Sequence, residues 1–176
     1  MKKFLTLALI AFLCTPAFAQ KMGSRNRNAP TIKQSIAVGG QTISFDYTSI
    51  AWGNTVEMVM DKDKGAEARA MVNQMAERAP LATFTTSADC KCGDLALPAG
   101  EYKVSFTVSD ECVWSLNFKG KDDKSLSLKL DLMDTPQESK RLLLCLYAGD
   151  DEGAGLYVSF GKKMCMLNFM PSKDKK

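Results

Sequence analysis

Residues 102–118, YKVSFTVSDECVWSLNF, decide the fold. Tyr102, Val104, Phe106 and Val108 alternate with Lys103, Ser105 and Thr107. After Ser109-Asp110-Glu111, the residues Trp114, Leu116 and Phe118 alternate with Ser115 and Asn117. Successive side chains of a strand point to opposite faces, so period two marks a strand with one buried and one wet face. The short polar tripeptide supplies turn chemistry. The stretch therefore predicts a hairpin in an antiparallel sheet.

The same alternation extends outward. Upstream, Ile43, Phe45 and Tyr47 alternate with polar residues. Downstream, Leu126, Leu128, Leu130 and Leu132 do so, followed by Leu156, Val158 and Phe160 and then Cys165, Leu167 and Phe169. Gly39-Gly40, Pro98-Ala99-Gly100, Gly120 to Asp123 and Gly149 to Gly153 punctuate the runs. Strands are expected at 42–48, 102–108, 113–119, 125–132, 142–147, 155–160 and 164–169. Short strands at this spacing predict a mainly β protein, a single antiparallel β-sandwich of jelly-roll or immunoglobulin-like kind. Phe45, Val104, Phe106, Leu116, Leu128, Leu130, Val158 and Leu167 are its expected core. One segment breaks the pattern. Ala66 to Arg78 is rich in helix formers, Pro80 stops it, and Ala68, Met71, Val72 and Met75 fall at helical spacing. One short helix near residues 64–79 is expected to cap an open end of the sandwich.

The chain opens on MKKFLTLALIAFLCTPAFA. Lys2 and Lys3 precede an apolar run, and Ala17-Phe18-Ala19 forms a small-x-small box, the pattern of a secretory leader cut between Ala19 and Gln20. The expected organisation is a signal peptide at 1–19, a flexible polar segment at 20–31, a β-sandwich domain at 32–170 and a tail at 171–176. The expected address is periplasmic or extracellular. No later run approaches 18 apolar residues, so no transmembrane anchor is expected after cleavage.

Removing 19 residues from 176 leaves 157, and removing Lys2 and Lys3 from 23 basic residues leaves 21 against 20 acidic ones. A net charge of +1 argues against nucleic acid as a partner, since phosphate neutralisation needs a basic excess. Histidine is absent. That excludes Ser-His-Asp and Cys-His nucleophile activation and histidine-based zinc sites. No catalytic residue, resident cofactor or metal is expected.

Cys90, Cys92, Cys112, Cys145 and Cys165 follow the leader and are candidates for disulfides or free thiols. Cys90 and Cys92 lie two apart on one strand face, so they aim in parallel and are expected not to bond to each other. Parity with Trp114 and Leu167 makes Cys112 and Cys165 core-facing. Cys90-Lys91-Cys92, Met58-Val59-Met60 and Met164-Cys165-Met166 also supply soft sulfur donors of the kind that select Cu(I). Asp61 to Glu67 has the look of a calcium loop but fails the spacing, with Ala66 at position six and Val72 at twelve. The candidate ligand-binding positions are loop polar groups beside aromatics: Trp52 with Asn54, and Asp150, Asp151 and Glu152 near Tyr157.

Leu97-Pro98-Ala99-Gly100-Glu101-Tyr102 and Trp114-Ser115-Leu116-Asn117-Phe118 carry a resemblance. The stretch 81–118 resembles the core of the bacterial exported family known as domain of unknown function 2911. Weaker likeness at 41–47, 126–132 and 156–169 extends it over most of residues 33–169. The resemblance implies a secreted β-sandwich without assigned activity. It carries over no catalytic residue: where the family has a polar run ending in Asn-Glu, this chain has Glu77-Arg78-Ala79-Pro80-Leu81. The expected function is a non-catalytic envelope module that binds a protein, glycan or small ligand. The alternative is a Cys/Met soft-metal or redox protein, or a carboxylate-based hydrolase.

Overall fold

A computed structural model of the chain describes residues 29–51, 53–149 and 152–172. The leader-like opening with the expected Ala19–Gln20 junction, most of the segment 20–31, Trp52, Asp150, Asp151 and the last four residues lie outside the described residues.

Two antiparallel sheets face each other. The first has the order β1 (Thr31–Val38), β2 (Gln41–Thr48), β3 (Ala82–Thr86), β6 (Gly100–Val108), β7 (Trp114–Lys119), β8 (Ser125–Lys129). The second has the order β5 (Leu95–Leu97), β4 (Cys90–Cys92), β10 (Ala154–Pro171), β9 (Met133–Ala148). Two helices, α1 (Gly53–Met60) and α2 (Ala66–Arg78), separate β2 from β3. The fold is thus the β-sandwich that the alternation implies. Ser109 to Val113 turns the β6–β7 hairpin, with the Ser109 amide donating to Val113 O at 2.9 Å.

The core lies between the sheets and is aromatic. Phe84 is fully buried, with ring centroids of Phe45, Phe169 and Phe118 at 4.9, 5.0 and 5.4 Å. Nearer the β6–β7 turn, Trp114 and Phe106 pack on Phe160 at 4.9 and 6.2 Å. Of the eight expected core residues only Leu128 differs. It is half-buried against the edge of the cluster, because β8 ends its sheet and the second sheet covers it only partly.

β1 was not marked by alternation, because Gln34 stands where an apolar residue would continue Ile32, Ile36 and Val38. That glutamine fastens the two sheets. Its Nε2 donates to Leu144 O at 2.5 Å, and its Oε1 accepts from the Leu146 amide at 2.8 Å. The Ser49 hydroxyl donates to Leu142 O at 2.9 Å along the same seam. The strand expected through Cys90 and Cys92 is β4, and the short β5 beside it carries no alternation of its own. β1 starts at Thr31, and beyond β10 the Ser172 amide donates to Asp89 O at 2.8 Å.

The runs read as separate strands at 155–160 and 164–169 belong to one strand segment, β10, that doubles back near Gly161, where φ is +55°. Two contacts show the return. A Cβ on Gly153 would lie 3.0 Å from Phe169 O, and the Tyr147 hydroxyl, beside Gly155, meets the Met166 sulfur at 3.7 Å. The turn also explains the parity change, with Leu156, Val158 and Phe160 inward on one limb and Cys165, Leu167 and Phe169 inward on the other.

The helices correct the single-helix expectation. α1 closes the end of the sandwich with Val56 and Val59. Its eight residues are too few to show a helical period, and Thr and Val within it favour strand. α2 forms where expected but does not cap the end. It lies over the outer face of β6, where Asn73 holds Val108 by both backbone groups, donating to its C=O at 2.9 Å and accepting from its N–H at 2.8 Å. Arg69, only 3% exposed, is the pin between the helices. Its Nη1 donates to Val59 O at 3.0 Å, to Asp61 O at 2.8 Å and to the Cys112 sulfur at 3.5 Å. A cation at the C-terminal end of α1 is favoured by the helix dipole and by orphan carbonyls. Gly65 is required beneath it, since a Cβ there would fall 2.3 Å from Asp61 O and 2.6 Å from the guanidinium.

Candidate functional site

Residues of β6 that point away from the core are Glu101, Lys103, Ser105 and Thr107; those of β7 include Asn117 and Lys119. The C-terminal turn of α2, with Glu77 and Arg78, stands beside them, and Lys121 and Asp123 close the far side. Together they enclose an open groove of about 670 Å³. Its floor is polar because the inward partners Val104, Phe106, Leu116 and Phe118 take the core. Alternation thus leaves Ser105, Thr107 and Asn117 outside. The Asn117 amide donates to the Thr107 hydroxyl at 2.8 Å and fixes that floor.

The charges are arranged unfavourably for the free protein. The register sets Lys103 directly opposite Lys119. Like charges at such positions repel. Lys119 has an exposed partner in Asp123 at 2.9 Å, whose carboxyl the ammonium hydrogen bond holds below its ordinary pKa. Arg78 and Lys121 add two more cations to the lining, against Glu77 and Glu101. The arrangement accepts an anionic group above a floor of hydroxyl and amide groups. Among the described residues no aromatic ring lines it.

Of the positions singled out in the sequence, those among the described residues do not line this groove. Trp52, Asp150 and Asp151 lie outside the described residues. Asn54 falls in α1, whose Val56 lies against Gly161 at the turn of β10. Glu152 is exposed with φ +59°, and its carbonyl sits against Gly39 near the opposite end of that strand. Tyr157 is half-buried on β10, paired with Cys145. Asn54 and Glu152 are therefore not brought together. The groove residues could be read only as the wet half of an alternation, which is what any solvated face gives.

The five described cysteines are free. Cys90 and Cys92 share the inner face of β4 as parity requires, and both are buried. Burial pushes the Cys92 thiol up to about 12 and that of Cys165 up to about 11, and raises Cys90 as well. Protonated thiols are poor nucleophiles and poor metal ligands. Cys112 is buried, as expected, but at the α1–α2 junction rather than in the main core: it sits in the β6–β7 turn with φ +63°, its sulfur 3.5 Å from Met60 O. Asp61 closes the turn that follows α1. Its carboxylate accepts from the amides of Lys64 and Asp63 at 2.9 and 3.0 Å, which lowers its pKa. Among the described residues no three His, Cys, Asp or Glu side chains gather around a common point, and no helix is long and apolar enough to cross a membrane.

No family model, curated protein or solved structure matches the chain.

Proposed function

We propose that this is an exported, non-catalytic binding module whose groove over β6 and β7 takes an acidic glycan. The observation that carries the reading is the opposed pair Lys103 and Lys119 above a floor of Ser105, Thr107 and Asn117. A carboxylate placed between the two ammonium groups relieves their repulsion, and the floor offers partners to sugar hydroxyls. Three further features support it: the leader-like opening, the absence of histidine, and the resemblance to an exported family without assigned activity.

Calorimetric titration with a trigalacturonate, set against cellotriose as the neutral control, tests the proposal. Binding of the acidic trisaccharide alone is expected, weakened at least tenfold by Lys103→Ala with Lys119→Ala, with no sugar released. Equal binding of both sugars, or indifference to the double substitution, would overturn the acidic-glycan reading. Release of monosaccharide would replace the binding module with a hydrolase.

A further inference from the structure

The opposite outer face has a different chemistry. Met133 on β9 is paired in register with Met164 on β10. Directly opposed residues of an antiparallel pair share a face, with Cβ atoms about 5 Å apart. Met166 follows two residues on, on the same face and about 7 Å along the strand. The ion pair at the preceding register position, Lys163 to Asp134 at 2.7 Å, confirms the side-by-side alignment. Met133 is 49% and Met166 56% exposed, so both side chains lie on the solvent side of the sheet. The core does not use them. The Met166 sulfur accepts only a weak, exposed hydrogen bond from the Tyr147 hydroxyl at 3.7 Å, whereas Met60, in the other Met-x-Met run, is packed against the core and accepts from the Trp114 indole N–H at 3.0 Å.

We infer that Met133, Met164 and Met166 form a Cu(I) site. Three thioethers make a soft, neutral donor set. Such donors select Cu(I) over the hard divalent ions. Each sulfur sits on a chain of three rotatable bonds, so the three can converge on one ion without movement of the backbone. The site needs no deprotonation, unlike thiolate or imidazole sites, whose ligands must lose a proton to bind. Its affinity is therefore flat in pH through the range where thiols are protonated. The buried thiols Cys90, Cys92 and Cys165 face the other side of this sheet and take no part.

The test is an anaerobic titration of the purified full chain with Cu(I) in competition with bicinchoninate. One Cu(I) per chain is expected, held equally at pH 7 and pH 5, with X-ray absorption showing sulfur neighbours. Met133→Leu, Met164→Leu and Met166→Leu should each lower the affinity at least tenfold. Leucine conserves the volume, and the single variants are exposed enough to leave the fold intact by circular dichroism. Met170→Leu, farther along the strand, should change nothing. Failure to compete with the chelator, retention by the three variants, or loss on Cys145→Ser instead would each overturn the assignment. The glycan groove lies on the other sheet, so neither result bears on the other.

Discussion

The two outer faces of this sandwich are built from the same kind of strand and differ in what they present. Over β6 and β7 the outward residues are Lys, Ser, Thr and Asn, with α2 laid across part of them. Over β9 and β10 they are Leu143, Cys145, Tyr147, Tyr157, Met164 and Met166, and Leu143 and Met166 are 40% and 56% exposed. A β-sheet needs only one apolar face to fold, so the second face is free to vary. One face has become a charged groove and the other a sulfur-rich surface. The core between them is common to both, with Phe84 on one sheet stacked on Phe169 of the other.

The sharpest way to break the comparison is to loosen the helix that covers one face only. Arg69→Ala removes the donor to Val59 O and Asp61 O. Losing charge-assisted hydrogen bonds and leaving those carbonyls without it should lower stability by about 2–4 kcal/mol. Chemical denaturation measures the loss. Hydrogen exchange should rise in α2 and at Val108, while amides of β9 and β10 keep their protection. Uniform loss of protection in both sheets would show that the two faces are not independent.

This asymmetry also governs what could be read from residues alone. Where one face is wet, period two is visible, and β2, β6, β7 and β8 were legible from it. On β9 the run Leu142 to Tyr147 is apolar at every position. Such a run reads as a strand buried on both sides, yet Leu143, Cys145 and Tyr147 are exposed. β1 was hidden by Gln34, whose amide replaces an apolar contact with two backbone hydrogen bonds to β9. α1 was hidden by its length. The groove was hidden for another reason: it depends on the register that opposes Lys103 to Lys119, and registers are set by turns and packing between distant residues. Arg69 was hidden most completely, since its carbonyl partners become a site only once α1 has ended.

A smaller effect separates inner from outer sulfur. Cys92 and Cys165 have folded-state values of about 12 and 11 against 9.0 for the free thiol. Below pH 9 both states hold these protons, so stability is flat there with respect to them. Between pH 9 and about pH 12 the unfolded chain loses protons that the folded one keeps, and stability falls. The slope is at most about 1.4 kcal/mol per pH unit for each thiol. Cys92→Ala should flatten the alkaline limb of a stability–pH curve. In the native state below pH 9, a thiol reagent should modify Cys145 well before Cys92. Equal rates would mean that the second sheet opens as readily inward as outward.

The smallest expected effect is the most informative about the groove. Asp123 is exposed, sits at φ +60° and is the partner of Lys119 at 2.9 Å. An exposed pair of this kind contributes little to folding, since screening and side-chain entropy offset the attraction. Asp123→Gly removes the carboxylate and also relieves the left-handed backbone, which glycine adopts freely. The two effects oppose each other, and stability should barely change. Ligand binding should move the other way. Without Asp123, Lys119 has lost its partner opposite Lys103, and the groove presents a stronger field to an anion. Affinity for the acidic trisaccharide should rise severalfold at low salt, and the gain should shrink as salt is added. An unchanged affinity would mean that the opposed lysines are a solvated pair with no part in binding, and the charged face would then be as idle as its alternation alone suggests.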